Sequence, residues 1–363
     1  MTLYLTENMD ISISKAGFVV ALFGMGSICG GFIGGKLTDK FGFYFIQIIS
    51  LLGGGILFFV LGQMQTYLGI CIVTFILGLV NESFRPANAS AIAHYSEEKN
   101  RTRSYALNRL SINLGFVLGG ALGGFIISKN YHLLFWIDGM TNILGAFLLW
   151  MFLAPSKNKA THKKDEYHFK EKQNSVYTDN YYLVFIVLTM IYSYCFFQLF
   201  STIPVFFKRE LHLSETYIGA LMALNGFVIV LFEMAIIYKL EGKRNNLQYI
   251  ILGVILCAFS FIMFNLFPGT GILAIAFMLI ASIGEILSMP FMNSFWISRT
   301  NTSNRGQYAG LYTVAWSVGQ VLGPGTGSQI ADTLGFTALW WVIGILFIFS
   351  ASGYKWLQWK IYG

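Results

Sequence analysis

Long apolar segments are the feature that most limits what this chain can fold into. A helix needs about 20 mostly apolar residues to cross the hydrocarbon core of a bilayer. Eleven segments of the sequence meet that requirement, and together they predict an all-α membrane protein with eleven transmembrane helices. The segments are 16–35, 44–63, 67–93, 104–128, 132–153, 181–207, 214–238, 246–267, 271–297, 306–331 and 335–357.

Lysine and arginine are distributed unevenly between the two faces that these segments define. Of 24 such residues, eighteen lie in one alternate set of connections and in the tail after residue 354, four lie in the other set, and two lie within segments. The positive-inside rule assigns the richer side to the cytoplasm. We therefore predict a multi-pass protein of the plasma (bacterial inner) membrane with a cytoplasmic C-terminus. These connections also explain the net charge of +7, so it does not indicate a nucleic-acid partner.

A short polar run between the first two segments carries both signs of charge. It reads Gly34-Gly35-Lys36-Leu37-Thr38-Asp39-Lys40-Phe41-Gly42, and we interpret it as a tight turn between two helices at a membrane face. A carboxylate in such a turn can contact the N-terminus of a neighbouring helix in one conformation and lose that contact in another. The sequence therefore predicts a conformational latch formed by Gly35, Asp39, Lys40 and Gly42.

The second half of the chain repeats features of the first at an offset of 202 to 204 residues. In this alignment Asp39 faces Glu241, and Glu82 faces Glu285. Parallel repeats of this kind build transporter folds from two similar bundles. Glycines also recur with helical spacing, which lets two helices approach closely. The predicted helix-packing glycines are Gly115, Gly119, Gly123, Gly319 and Gly323.

Four stretches of the sequence resemble motifs of a known family. The polar run resembles the loop after the second transmembrane helix of the major facilitator superfamily, roughly G-x-L-a-D-r-x-G-r-r, although Phe43 and Tyr44 replace its last two basic residues. The stretch 84–88 and the sequence around Arg109 resemble the fourth and fifth helices of the drug:proton antiporter-like (multidrug efflux) group. The glycine series resembles that group's fifth-helix motif, G-x-x-x-G-P-x-x-G-G, with Gly120 in place of the proline.

This resemblance implies the major facilitator fold, in which two six-helix bundles are related by a pseudo-twofold axis. The family usually has twelve helices, so we expect the first helix to be missing here. The implied division is an N-terminal bundle at 1–153 (helices 2–6), a cytoplasmic linker at 154–180 and a C-terminal bundle at 181–363 (helices 7–12). We expect a monomer surrounded by the lipid bilayer.

Ionisable side chains within the apolar segments are costly and tend to mark an interior path or a partner. Glu82 and Arg85 are three residues apart and can meet on one helix face, as a structural ion pair or as part of a substrate contact. Glu285 lies near the middle of its segment with no basic residue within a helical turn. Burial disfavours the charged form of such a carboxylate. It could therefore bind and release a proton, or it could hydrogen-bond a neighbouring helix as a neutral acid.

These considerations give two sets of candidate site residues. The proton-coupling candidates are Glu285, Glu82 and Glu233. The candidates for substrate contact or charge relay are Arg85, Arg109, Asn113, Asp138, Gln198, Asn225 and Asn293. The uncharged members could line a polar cavity, or they could join neighbouring helices by hydrogen bonds.

The sequence favours a secondary active transporter over a membrane enzyme. It contains no HExxH, GxSxG or CxxC motif and no P-loop, so we expect no enzyme activity, no cofactor and no metal. The resemblance implies proton-coupled efflux of a small amphipathic molecule by alternating access, with that substrate and protons as the partners. The alternatives are a major facilitator transporter of a sugar, peptide or other metabolite, in either direction, and a truncated remnant that does not transport.

Overall fold

The computed structural model describes residues 5, 9, 13–127, 131–153, 176–267, 269–301 and 304–363. Within this part the chain is helical and has no strands, which confirms the all-helical prediction. Two short 3-10 turns, Glu98–Asn100 and Val176–Thr178, accompany the α-helices. The helices are α1 Ile13–Phe41, α2 Phe43–Gln63, α3 Tyr67–Glu82, α4 Phe84–Tyr95, α5 Arg101–Ile127, α6 Tyr131–Phe152, α7 Asn180–Phe196, α8 Gln198–Arg209, α9 Glu215–Leu240, α10 Asn246–Leu266, α11 Gly271–Ser298 and α12 Arg305–Tyr362.

Nine stretches of the described residues are long and apolar enough to cross a membrane. Helices α3 and α4 together form one of them, Tyr67–Tyr95, and α7 and α8 form another, Asn180–Arg209. The 58-residue α12 contains Gly335, whose φ of 84° and ψ of 164° are not helical. This break lies beside the connection predicted at 332–334. The count of eleven spans and the missing first helix remain predictions.

The polar run 34–42 is helical up to Phe41, so the tight turn predicted over it is confined to Gly42. Helix α1 continues through it to Phe41, and α2 begins at Phe43. Gly42 separates the two helices with a φ of 88°, a left-handed value that glycine adopts without a Cβ clash. The charged residues do not end α1, because lysine is a good helix former and a solvated charge is compatible with a helix end. The change of direction therefore depends on one glycine.

The chain packs as two compact units. Their residues are Met1–Ala91, Gly123–Leu183 and Thr300–Val314 in the first unit, and Ile92–Leu122, Val184–Arg299 and Ala315–Gly363 in the second. In the first unit α1 packs on α3 and α2 packs on α6, whereas in the second both α9 and α10 pack on α11. The division into bundles at 1–153 and 181–363 remains a prediction. Most of the predicted linker, 154–175, lies outside the described residues.

Small residues bring α1 and α3 close together in the first unit. Gly26, Gly30 and Gly34 recur every four residues on one side of α1. A Cβ added at Gly26 or Gly30 would lie less than 3 Å from α3 backbone atoms, and one added at Gly34 would lie equally close to the backbone of Ser83, the residue that follows α3. Ser83 Oγ also donates a hydrogen bond to the carbonyl oxygen of Gly30 over 3.1 Å. Close backbone approach of this kind gives van der Waals contact where no hydrophobic force drives helices together in lipid.

In the second unit, α11 is the most buried of the nine apolar stretches. Of the 18 residues that make up its apolar part, 67% are buried inside the protein. Gly253 of α10 and Gly284 of α11 face each other so closely that a Cβ at either position would meet the other residue's backbone oxygen. This backbone contact holds the middle of α11 inside the unit. Glu285, the next residue, is consequently only 3% exposed.

Candidate functional site

One arginine joins two glutamates inside the second unit. Arg109 of α5 donates from Nη1 to Glu233 Oε2 over 3.1 Å and from Nη2 to Glu285 Oε2 over 2.6 Å. Glu233 lies on α9 and Glu285 on α11. The three side chains are 14%, 2% and 4% exposed, respectively. Three helices thus hold one cation and two carboxylates away from solvent, and we name these three residues the Arg109 cluster.

Glu285 is also held by an uncharged donor. Asn225 Nδ2 donates to Glu285 Oε1 and to Ser282 Oγ, each over 2.9 Å. The Ser282 hydroxyl in turn donates to the carbonyl oxygen of Met278 over 2.7 Å. Both carboxylate oxygens of Glu285 therefore accept a hydrogen bond, one of them from a charged group. Such bonds are the strong ones, so the ionised form of Glu285 is well accommodated.

Glu233 is less well satisfied than Glu285. Its Oε2 contacts Arg109, but its Oε1 is buried and has no hydrogen-bond partner among the residues that the structure describes. An apolar cluster of Val228, Ile229 and Ile286 lies between the same two helices, α9 and α11. In such surroundings an ion pair is strengthened, and a charge without a full set of partners is costly.

The sequence shows no basic residue within a helical turn of Glu285, but the structure gives it a basic partner from another helix. Its partner, Arg109, lies 176 residues away in the chain, so inspection of one helical turn cannot find it. A signal for the pairing did exist, because the interiors of the apolar segments contain two arginines and four carboxylates, with Glu215 at the start of its own segment. Glu82 lies at helical spacing from Arg85 and can pair with it. Arg109 is then the arginine available to the remaining carboxylates. The count indicates a partner for Arg109, but it does not say which one.

A buried tyrosine hydroxyl lies one helical turn from Glu285. Tyr192 Oη of α7 is 2.7 Å from Ser288 Oγ, and Ser288 donates to the carbonyl oxygen of Gly284 over 2.7 Å. The Tyr192 ring packs edge-on against Trp316, with centroids 6.0 Å apart. Tyr192, Ser282 and Ser288 are not among the candidate residues that the sequence predicts. No spacing or charge signal distinguishes them from the many other polar residues of the apolar segments.

The ion pair predicted between Glu82 and Arg85 forms in the first unit. Arg85 Nε is 2.7 Å from Glu82 Oε1, while the Arg85 side chain is 53% exposed and that of Glu82 is 11% exposed. Because water reaches the guanidinium, this contact is closer to a surface ion pair than to the Arg109 cluster. The geometry is that of a local structural pair within one span.

The other polar candidates differ in their surroundings. Gln198 is fully buried and donates to the carbonyl oxygen of Gly323 over 2.7 Å, which joins α8 to α12. Asn293 Oδ1 accepts from Trp296 Nε1 within α11 over 3.2 Å. Asn113 has a buried Nδ2 without a partner among the described residues, and Asp138 is partly buried on α6. Asn225 is therefore the predicted polar residue for which the structure gives a direct bond to Glu285.

Asp39 of the predicted latch caps another helix. Its Oδ1 accepts from the backbone N–H of Gly306 over 2.5 Å, and its Oδ2 accepts from that of Gln307 over 2.8 Å. These are orphan donors in the first turn of α12. Gly35 packs against Gly306, which allows this approach. Lys40 is exposed, with its Nζ 5.1 Å from the centre of the Phe41 ring.

Glu241, the repeat counterpart of Asp39, makes an equivalent contact in the second unit. Its Oε1 accepts from the backbone N–H of Thr102 over 2.9 Å, at the first turn of α5, and its Oε2 accepts from Arg103 Nε over 2.6 Å. Thr102 also shares a 2.7 Å hydrogen bond with Ser294 Oγ of α11. These partners are not among the residues that the sequence predicts, but the repeat offset places Thr102 and Arg103 opposite Gly306 and Gln307.

The predicted packing glycines fall into three situations. A Cβ at Gly319 or Gly323 would lie less than 3 Å from the backbone of Ser193 or Tyr194, so α12 packs closely on α7 there. At Gly115 an added Cβ would meet nothing within 4 Å among the described residues. Gly119 and Gly123 lie on α5, and their surroundings lie outside what the structure describes.

Residues 1–324 match the sequence model of the Major Facilitator Superfamily. This chain belongs to that superfamily. Members of the superfamily are transporters rather than enzymes, which agrees with the absence of catalytic motifs. The match covers most of the chain, including every member of the Arg109 cluster and both capping carboxylates.

Curated relatives include named efflux and antiporter proteins. The chain is 23% identical over 335 residues to "Multidrug resistance protein 2" of Bacillus subtilis (strain 168), a match that covers 89% of this chain and 82% of that protein. It is 21% identical over 393 residues to a "Na(+), Li(+), K(+)/H(+) antiporter" of Planococcus maritimus, covering 98% of this chain and 90% of the other. These identities are low, so the names describe the relatives themselves.

The fold is shared with solved transporter structures. The chain superposes on the proton:xylose symporter XylE with a TM-score of 0.77 and 18% identity, over 100% of this chain and 90% of that one. At such identity the likeness shows the fold alone. The superfamily member is thus a helical, multi-pass transporter with a buried Arg109 cluster.

Proposed function

We propose that this superfamily member is a proton-coupled secondary transporter that exports a small amphipathic molecule by alternating access. The observation that carries the proposal is the Arg109 cluster, in which two carboxylates share one guanidinium away from solvent. If both are ionised, the three residues carry one uncompensated negative charge in an apolar interior. A charge of that kind is costly, and binding one proton removes it.

Charged groups in membrane-spanning helices commonly mark ion or proton pathways. Of the ion pairs that the structure describes, the Arg109 cluster combines the deepest burial with two carboxylates. Glu82 and Arg85 form a one-to-one pair with an exposed arginine, so a proton there would break a balanced contact. The cluster is therefore the site to which we assign coupling, with Asn225 as a positioning residue.

The relatives support both parts of this proposal. Their printed names include multidrug resistance and ion/proton antiport, which agree with efflux coupled to protons. We further propose a bacterial inner-membrane location, a cytoplasmic C-terminus, a monomer and a division of the chain into two six-helix bundles. The carboxylate caps at α5 and α12 supply contacts that such a cycle could break and remake.

The test is a proton-flux assay in inside-out membrane vesicles that contain the chain. A pH gradient is established and followed with a fluorescent dye, and lipophilic cations, sugars, peptides, Na⁺ and K⁺ are added in turn. We expect one lipophilic cation or more to dissipate the gradient with the wild type and with Glu97→Gln, but not with Glu285→Gln. Glu97 is a matched control, since it pairs with Lys99 at the surface and its side chain is 68% exposed.

The outcomes separate the parts of the proposal. Equal responses of the wild type and Glu285→Gln would show proton-coupled transport and refute the Arg109 cluster as its site. A response to a sugar or peptide alone would replace the amphipathic substrate with a metabolite. If no compound moves protons, the antiport proposal is wrong, and counterflow of radiolabelled sugars would then test uniport.

A further inference from the structure

The two glutamates of the Arg109 cluster are not equivalent. Both oxygens of Glu285 accept hydrogen bonds, from Arg109 and from Asn225. Glu233 accepts one bond through Oε2, at the longer distance of 3.1 Å, and its buried Oε1 has no partner among the described residues. Hydrogen bonds from the protein stabilise the anionic form of a buried carboxylate. Glu285 receives such bonds at both oxygens, whereas Glu233 receives one at Oε2 and none at Oε1 from the described residues.

We propose that the proton binds to Oε1 of Glu233, while Glu285 stays ionised as the fixed partner of Arg109. This inference rests on the proposed function, because it assigns the atom at which that coupling takes place. When the proton binds, an O–H bond forms at Glu233, Oε2 still accepts from Arg109, and the net charge of the three residues changes from −1 to zero. The site as described takes one proton in each cycle.

The donor set favours a proton over a metal ion. A hard cation in a protein site is surrounded by six or more oxygen ligands, whereas a proton needs one acceptor atom. Oε1 of Glu233 is the open oxygen here, since Glu285 and Asn225 are engaged with each other. The described residues also contain no group of three or more His, Cys, Asp or Glu side chains that could hold a metal ion.

The charged and titratable groups around Glu233 come from several helices. Arg109 of α5 and Glu285 of α11 contact it directly or share its partner. Tyr192 of α7 approaches the same part of α11 through Ser288, and Cys257 of α10 packs against Gly284. Tyrosine and cysteine are neutral near neutral pH. The charge balance is therefore set by the Arg109 cluster itself.

The proton can be located by infrared difference spectroscopy of the purified chain in a lipid film, comparing acidic with neutral buffer. A buried protonated carboxyl group gives a C=O stretching band that a carboxylate lacks. We expect the wild type and Glu97→Gln to show a titrating band and Glu233→Gln to lose it completely. In Glu285→Gln the remaining Glu233 forms a balanced pair with Arg109, so we expect its band to appear only in more acidic buffer than in the wild type. Glu233→Asp, which keeps the carboxyl group on a shorter stem, should move the band rather than abolish it.

Two results would overturn the assignment: a band that disappears with Glu285→Gln and persists with Glu233→Gln, or no titrating band in the wild type. Size-exclusion chromatography identifies variants that have lost their fold, and Glu233→Asp decides the assignment if Glu233→Gln is among them. The proton-flux assay is scored separately. A band that depends on Glu233 without any proton flux would keep this inference and reject the proposed function, whereas flux with a band that follows Glu285 would do the reverse.

Discussion

Replacing Arg109 with glutamine should destabilise the chain by about 3–5 kcal/mol, the cost of leaving a buried charge without its partner. The burial of the carboxylates sets this magnitude: their side chains are 2% and 4% exposed, so water cannot take the place of the guanidinium. One substitution removes both ion contacts, at 3.1 and 2.6 Å, which places the expected loss toward the upper end. Glutamine can still donate a hydrogen bond, but it brings no charge.

A compensating variant separates charge from packing. Arg109→Gln combined with Glu233→Gln and Glu285→Gln removes all three charges and keeps side chains of similar volume. Buried ion clusters replaced by neutral groups are often no less stable than the original. We therefore expect the triple variant to recover about 2 kcal/mol or more of the loss. The measurement is the free energy of unfolding, from denaturant titration in mixed lipid–detergent micelles followed by tryptophan fluorescence.

The control is Arg85→Gln, which removes the arginine of the other intramembrane ion pair. Because the Arg85 side chain is 53% exposed, we expect a loss of about 0–1 kcal/mol. The reasoning would be refuted if Arg109→Gln cost no more than this control. It would also be refuted if the triple variant were no more stable than the single one, since the fit of the guanidinium rather than its charge would then hold the site together.

Three further predictions concern the caps, the packing and the topology. Asp39→Asn should weaken the cap on α12 by about 0.3–1 kcal/mol. Glu241→Gln should weaken the cap on α5 by about 1–2 kcal/mol, because it also loses the ion pair with Arg103. Initial transport rates and unfolding free energies measure both effects, and equal losses would count against the added ion pair. Gly319→Val should lower the free energy of unfolding by about 1–3 kcal/mol or prevent folding, because its side chain would meet the α7 backbone. Gly219→Ala has open space at its Cβ and should be neutral. Fluorescence-detected size exclusion compares the monodisperse yields of the two variants. A reporter fused after Gly363 should fluoresce as a green fluorescent protein fusion and be inactive as an alkaline phosphatase fusion; the opposite pattern would contradict the orientation from the positive-inside rule.

The sequence was informative where the determinants are local or repeated. Apolar length alone predicts the helices, since a backbone in lipid must satisfy its hydrogen bonds within a helix. The spacing of Glu82 and Arg85 predicts their contact because it is made within one helical stretch. The sequence marks the polar run as a special segment, but the turn predicted over it was too long. A charge pattern does not distinguish a turn from the end of a helix, and the change of direction depends on the φ of Gly42.

The Arg109 cluster shows why the candidate site could be predicted only in part. The sequence identifies each ionisable residue, because a charge in an apolar segment is unusual. It does not identify the partners, since the contacts join residues 124 and 176 positions apart, and any of several rotations of α5, α9 and α11 would satisfy the same hydrophobic pattern. The sequence cannot show that Oε1 of Glu233 lacks a partner among the described residues. That depends on the direction of the Asn225 side chain, which bonds to Glu285. The same side chain could equally have bonded to Glu233, two turns further along α9.

The repeat extends further than the residues by which it was noticed. Asp39 and Glu241 correspond in the alignment, and so do the amides that they cap, those of Gly306 and Gln307 on α12 and that of Thr102 on α5. Within each unit a carboxylate from the end of one helix satisfies the orphan donors at the start of another, where the helix dipole adds to the attraction.

The two caps nevertheless differ. Glu241 also binds the guanidinium of Arg103, whereas the corresponding residue beside Asp39 is the uncharged Gln307. Both carboxylates make charge-assisted bonds to backbone N–H groups, and the Glu241 copy adds a direct contact with the guanidinium of Arg103, so the duplicated latch should not open symmetrically. The Asp39 cap is therefore the contact that we expect to break first in a transport cycle.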